Sequence, residues 1–118
     1  MPTIVHFDVP AEDIKRASWF YSELFGWKIE PMPGPMEYYG IATKDLEGKP
    51  SVGGGMGKRQ EGDGGIVNYF GVESIDNCVK KLEVLGGKLL MPRTEIPGFG
   101  FLAVCLDTEG NKFGLWQN

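Results

Sequence analysis

The chain has 118 residues, 42% of them hydrophobic and 24% charged, a length that fits one domain with a real core and no need of disulfide or metal staples. Twelve Lys and Arg against 16 Asp and Glu leave a net charge of -4. With no basic stripe beyond Lys58-Arg59, this argues against nucleic acid as a partner. No run approaches the roughly 18 apolar residues of a membrane helix, and Met1-Pro2-Thr3 leads straight into a strand-like segment without a leader pattern, so a cytoplasmic protein with no membrane partner is expected.

In chain order, residues 4–9 alternate, with Val5, Phe7 and Val9 on one face and Ile4, His6 and Asp8 on the other, as a strand with one buried face does. A helix is expected over residues 13–25, with Ile14, Ala17, Tyr21 and Leu24 on its apolar stripe, Glu12 and Asp13 at its positive end and Gly26 as its left-handed stop. Strands follow over residues 27–31, 38–44 and 51–57. The charged, glycine-rich segment 57–65 reads as a flexible linker. A strand at 66–72 precedes a helix capped by Ser74 that carries Ile75, Cys78, Val79, Leu82 and Leu85 and ends at Gly86-Gly87. The last strands are expected at 88–92, 100–106 and 112–116.

The two halves repeat one plan, strand, helix, then three strands. An offset of 61 pairs Ile14 with Ile75, Tyr21 with Leu82 and Gly26 with Gly87, and Asp45-Leu46-Glu47-Gly48 returns 62 positions later as Asp107-Thr108-Glu109-Gly110. Both Asp-x-Glu-Gly segments fall between strands, where they supply turn chemistry rather than metal sites. Glycine, 18 of 118 residues, is about double its usual share of about 7%, and it concentrates at the joints of the repeat. Cys78 and Cys105 sit in apolar periodic segments without CxxC spacing and read as buried free thiols. Gly53-Gly54-Gly55-Met56-Gly57-Lys58-Arg59 fails as a phosphate loop, because its spacing is short and Arg59 stands where Ser or Thr is required.

With Val9-Pro10 leading into Ala17-Ser18-Trp19-Phe20-Tyr21-Ser22-Glu23-Leu24-Phe25-Gly26-Trp27, and with the ending Asp107-Thr108-Glu109-Gly110-Asn111-Lys112-Phe113-Gly114-Leu115-Trp116, the chain resembles the vicinal oxygen chelate superfamily, which contains glyoxalase I, bleomycin-resistance proteins and extradiol dioxygenases. The resemblance implies an α+β fold in which two tandem βαβββ modules form a half-open mixed sheet barrel with helices outside. It places module one at about residues 1–57, a linker at about 58–65 and module two at about 66–118, within a single glyoxalase-like domain. It also implies a homodimer, paired edge to edge or by exchange of halves. Metal-dependent members use His or Glu on four strands. The matching positions here are Ile4, one of Val52, Gly53 and Gly54, then Val67 and Gly114, none of which binds a metal. No metal and no other cofactor is therefore expected.

His6 lies two residues beyond the first of those positions and shares its face with Asp8. It is a candidate pocket acid/base, with Asp8 to hold its tautomer, or else a hydrogen-bonded structural histidine. Tyr69 matches His6 in the second half. Trp116, by alternation from Gly114, faces the same way, and Tyr39 follows the Pro33-Gly34-Pro35 turn. His6, Asp8, Tyr69, Trp116 and Tyr39 are the expected pocket for a small organic molecule. The resemblance leaves the role open among a metal-free small-molecule binder, a lyase or isomerase similar to lactoylglutathione lyase with His6 and Asp8 catalytic, an antibiotic-sequestering protein, and a non-catalytic module.

Overall fold

All ten expected elements are present in the computed structural model, which describes residues 1–118. They are β1 (Ile4–Ala11), α1 (Ile14–Phe25), β2 (Lys28–Pro31), β3 (Tyr38–Ala42), β4 (Gly53–Lys58), β5 (Val67–Gly71), α2 (Ile75–Val84), β6 (Lys88–Ile96), β7 (Gly100–Leu106) and β8 (Lys112–Gln117). The fold is the expected α+β arrangement of two βαβββ repeats on a mixed sheet, with hydrogen-bonded order β2-β3-β4-β1-β5-β8-β7-β6 and open ends at β2 and β6. In each repeat the first strand runs parallel to the fourth, β1 with β4 and β5 with β8, and the remaining pairs are antiparallel.

The chain forms two compact units, one of residues 6–66 and one of residues 1–5 with 67–118. The first five residues belong with the second unit because Thr3 O accepts from Gly71 N at 3.0 Å. The Val5 side chain also lies 3.0 Å from where a Cβ on Gly71 would stand.

In the unit of residues 6–66, period-two alternation turns Phe7, Val9 and Ala11 toward α1, and Val9, Ala11, Ile14, Ile41 and Met56 make its core. Asp13 caps α1 rather than opening it, its carboxylate accepting from Arg16 N at 3.0 Å, and Gly26 stops the helix at φ 71° while its N–H returns to Ser22 O. The expected stripe holds at Ile14, Ala17 and Tyr21 but not at Leu24, which is exposed. Trp27, stacked on Tyr21 at 5.1 Å, fills the space at that end of the helix instead.

In the other unit Ile75, Ala103, Cys105 and Leu115 form the core, with Cys78, Val79 and Leu82 of α2 against it. Ser74 caps α2 by accepting from Asn77 N at 3.1 Å. Leu85, placed on the buried stripe by its period, is exposed because α2 ends at Val84. Strand β6 runs four residues past its expected end at Pro92, as an edge strand allows, with register shifts between Leu89 and Met91 and between Met91 and Thr94.

The two Asp-x-Glu-Gly segments are turns of one design. Asp45 Oδ1 accepts from Glu47 N and Lys49 N, and Asp107 Oδ1 from Glu109 N and Asn111 N. The donors around Asp107, from Asn111 first, hold its carboxyl below the ordinary value.

Candidate functional site

On the face of the first unit opposite α1, the β1–β4 register sets His6 beside Gly53 and Asp8 beside Gly55, while the β3–β4 register sets Tyr38 beside Gly57 and Gly40 beside Gly55. Alternation therefore gives this face two polar side chains from β1, one tyrosine from β3 and a row of glycines between them. Tyr38 reaches across that row. Its hydroxyl donates to Asp8 Oδ1 at 2.5 Å, and His6 Nε2 lies 2.9 Å from the same oxygen and 3.2 Å from the Tyr38 hydroxyl. A carboxylate oxygen only accepts, so the nitrogen facing Asp8 is the protonated one, and Asp8 fixes both the imidazole's tautomer and its orientation. The His6 and Asp8 side chains are 35% and 33% exposed, so a small molecule can reach the cluster.

Gly55 is what lets Tyr38 lie there. A Cβ at this position would stand 1.5 Å from the Tyr38 hydroxyl oxygen and 2.0 Å from Cζ. Gly55 is thus a seat for a phenol. Its neighbour Gly54 serves the other face, where a Cβ would fall 2.8 Å from the Phe7 ring.

The structure brings His6 and Asp8 together and does not bring Tyr39 to them. Tyr39 points to the opposite face and packs on the core of Val9, Ala11, Ile14, Ile41 and Met56. Sequence reasoning missed Tyr38. The signal was available in the alternation Tyr38, Gly40 against Tyr39, Ile41, since the buried Ile41 assigns Tyr39 to the core side.

In the other unit Tyr69 is buried and its ring lies over Gly114, its partner in the β5–β8 register, 2.1 Å from where a Cβ would be. Trp116 is half-buried, packs against Gly100 and donates its indole N–H to Asn118 Oδ1 at 2.9 Å. Both units thus fill the space over a glycine on the last strand of the repeat with a tyrosine ring.

No three His, Cys, Asp or Glu side chains come together in a way that can hold a metal ion. At the His6 cluster the donor set does not fit one, since two protein ligands whose facing atoms already share a hydrogen bond fall short of the three or four that divalent ions take. Cys105 is fully buried and its thiol is pushed by burial up to about 11, with Cys78 adding to the shift. A recess of about 290 Å³ lined by Glu12, Asp13, Ile14, Lys15, Glu37 and Lys58 has one apolar residue among these six and lacks the aromatic walls of a small-molecule site.

A twofold βαβββ repeat with polar side chains on the sheet face away from the helices defines a glyoxalase-like protein, and the chain belongs to the vicinal oxygen chelate superfamily. Residues 3–43 match the bleomycin resistance protein-like N-terminal family. A glyoxylase-like domain-containing protein of Didymella fabae is 30% identical over 115 residues, which cover 92% of this chain and 88% of that protein. CFP32 of Mycobacterium tuberculosis, which bears a provisional glyoxylase name, is 33% identical over 113 residues, 93% of this chain but 43% of its own length. The chain thus spans less than half of that relative. Among solved structures, a Streptomyces coelicolor methylmalonyl-CoA epimerase in complex with 2-nitronate-propionyl-CoA superposes with a TM-score of 0.70 at 14% identity, covering 98% of this chain and 96% of that one, a likeness of fold.

Proposed function

We propose that this glyoxalase-like chain binds a small organic molecule through hydrogen bonds to the His6–Asp8–Tyr38 cluster, without a metal, as a cytoplasmic homodimer. The observation that carries the reading is the convergence of the three side chains over Gly55, one-third exposed at His6 and Asp8. A pre-organised donor and acceptor set with room beside it is what fixes a ligand's polar end. The superposed epimerase, which holds a CoA derivative, supports a small organic ligand for this fold. Screening small ketones, carboxylates and phenols by backbone amide NMR tests the reading. Saturable shifts centred on His6, Asp8 and Tyr38 support it, and saturable shifts confined elsewhere refute it.

A second reading, a lyase or isomerase resembling lactoylglutathione lyase, is favoured by one observation, the grip of Asp8 on His6 Nε2. A histidine oriented by a carboxylate is the arrangement of a general acid or base, and such catalysis contributes about 10²–10⁴-fold. Turnover that is pH-dependent and lost on His6→Gln distinguishes this from binding alone.

A further inference from the structure

The outer face of α1 is the most apolar exposed surface of the first unit. Trp19 is 66% exposed, Phe20 51% and Leu24 59%. With about 150–250 Å² per aromatic side chain, these three leave roughly 300 Å² of apolar surface in water, the size of the biggest patch on an ordinary monomer and a little over a third of what one partner contributes to a standard interface. The patch is also anchored. Phe20 meets Tyr21 edge-on at 5.2 Å, Tyr21 stacks on Trp27, and Trp27 meets Phe7 of β1 at 5.5 Å, so a ring ladder runs from the core to the surface.

The charges around the patch identify what covers it. Along the i, i+4 row of the helix stand Lys15, Trp19 and Glu23, and the next row carries Arg16, Phe20 and Leu24. The basic residues are at the positive end of the helix and Glu23 is in its last turn, opposite to what the helix dipole favours, with no acidic residue in the first turn and no basic one in the last. That order disfavours an isolated helix and suits an antiparallel copy of itself. About a twofold axis at Trp19, Lys15 of one copy meets Glu23 of the other, while Arg16 pairs with its own Asp13, and the two dipoles oppose. The sheet ends offer no competing surface. Strand β2 is four residues long with Lys28, Glu30 and Pro31, and β6 carries Pro92 and two register shifts, the devices that block strand addition.

We infer that the outer face of α1 is a twofold self-association surface whose partner is a second copy of this chain, with Trp19 and Phe20 at its centre. This rests on the homodimer reading above and names its surface. The test is sedimentation velocity of the 118-residue chain over a concentration series, with circular dichroism confirming the fold of each variant. The wild type is expected at about 26 kDa, twice its 13.0 kDa, and Trp19→Glu with Phe20→Glu is expected to weaken the dimer at least about 30-fold. Lys15→Glu or Glu23→Lys alone is expected to weaken it about threefold, and the two together to restore it, a rescue that only antiparallel pairing of this face gives. A wild type that stays at 13.0 kDa, the face being left for an unlike partner, overturns the homodimer reading. A dimer indifferent to the Trp19 and Phe20 changes, or one not rescued by the charge swap, overturns the surface while leaving the homodimer standing. If the double Glu variant unfolds, the charge swap still decides.

Discussion

Adding one methyl group at Gly55 tests whether Tyr38 belongs to the site. The new Cβ would overlap the Tyr38 hydroxyl and Cζ, so the ring must swing away and surrender its bond to Asp8 and its contact with His6. A hydrogen bond to a charged group contributes about 1.5–3 kcal/mol. Alanine in a strand recovers about 0.5–1 kcal/mol of backbone entropy relative to glycine. The net destabilisation for Gly55→Ala is then about 1–2 kcal/mol, a fall in Tm of roughly 4–8 °C for a chain of this size. Gly57→Ala is the control, because a Cβ there meets Tyr38 Cδ1 at 3.4 Å, an ordinary contact, and it is expected to leave Tm unchanged or slightly higher. Tyr38→Ala removes the ring that Gly55→Ala displaces, so the double variant should be no less stable than Tyr38→Ala alone. Thermal unfolding of the wild type and the four variants, with the His6 ring followed by NMR, measures all of this. A Gly55→Ala protein as stable as Gly57→Ala, with an unmoved His6 signal, would refute the placement of Tyr38.

Met56→Ala removes a side chain with no exposure from the centre of the first unit and should cost about 2–5 kcal/mol in chemical denaturation. Gly87→Ala should also destabilise, because its Cβ would come 2.4 Å from a Leu82 methyl and 3.0 Å from Leu106 O, and Leu82→Ala in the same chain should offset part of that loss. Cys105, fully buried with its thiol raised from 9.0 to about 11, should resist alkylation in the native state at pH 8, while the half-buried Cys78 reacts. The same shift gives a pH dependence. The folded protein holds the Cys105 proton more tightly than the unfolded chain does, so this contribution to stability is intact below pH 9 and is lost as pH rises toward 11, and Cys105→Ala should flatten that part of the profile.

The fold was legible because it is written twice. Two collinear repeats with matched left-handed helix stops at Gly26 and Gly86 and matched Asp turns at Asp45 and Asp107 leave little freedom in topology. Boundaries were less legible where a residue's company decides its fate. Leu24 carries the period of a core residue but Trp27 takes its place against Tyr21, and β6 passes through Pro92 because an edge strand does not need that N–H. Within the site, His6 and Asp8 were readable from alternation on one strand. Tyr38 was missed although the alternation of residues 38–41 carried its face, because its contact with Asp8 across Gly55 is set by the β3–β4 register, which no local pattern gives. Tyr39, its neighbour, was expected in the pocket and instead packs against the core.

Ligand titration of the wild-type protein against His6→Gln and Tyr38→Phe, read from backbone amide shifts, tests the central claim most directly. A small organic ligand found in the screen should shift His6, Asp8, Tyr38 and Gly55 saturably, and each variant should weaken its binding by about tenfold, the worth of one good hydrogen bond. Saturable binding of equal strength in all three proteins, with those four residues unmoved, would contradict the account.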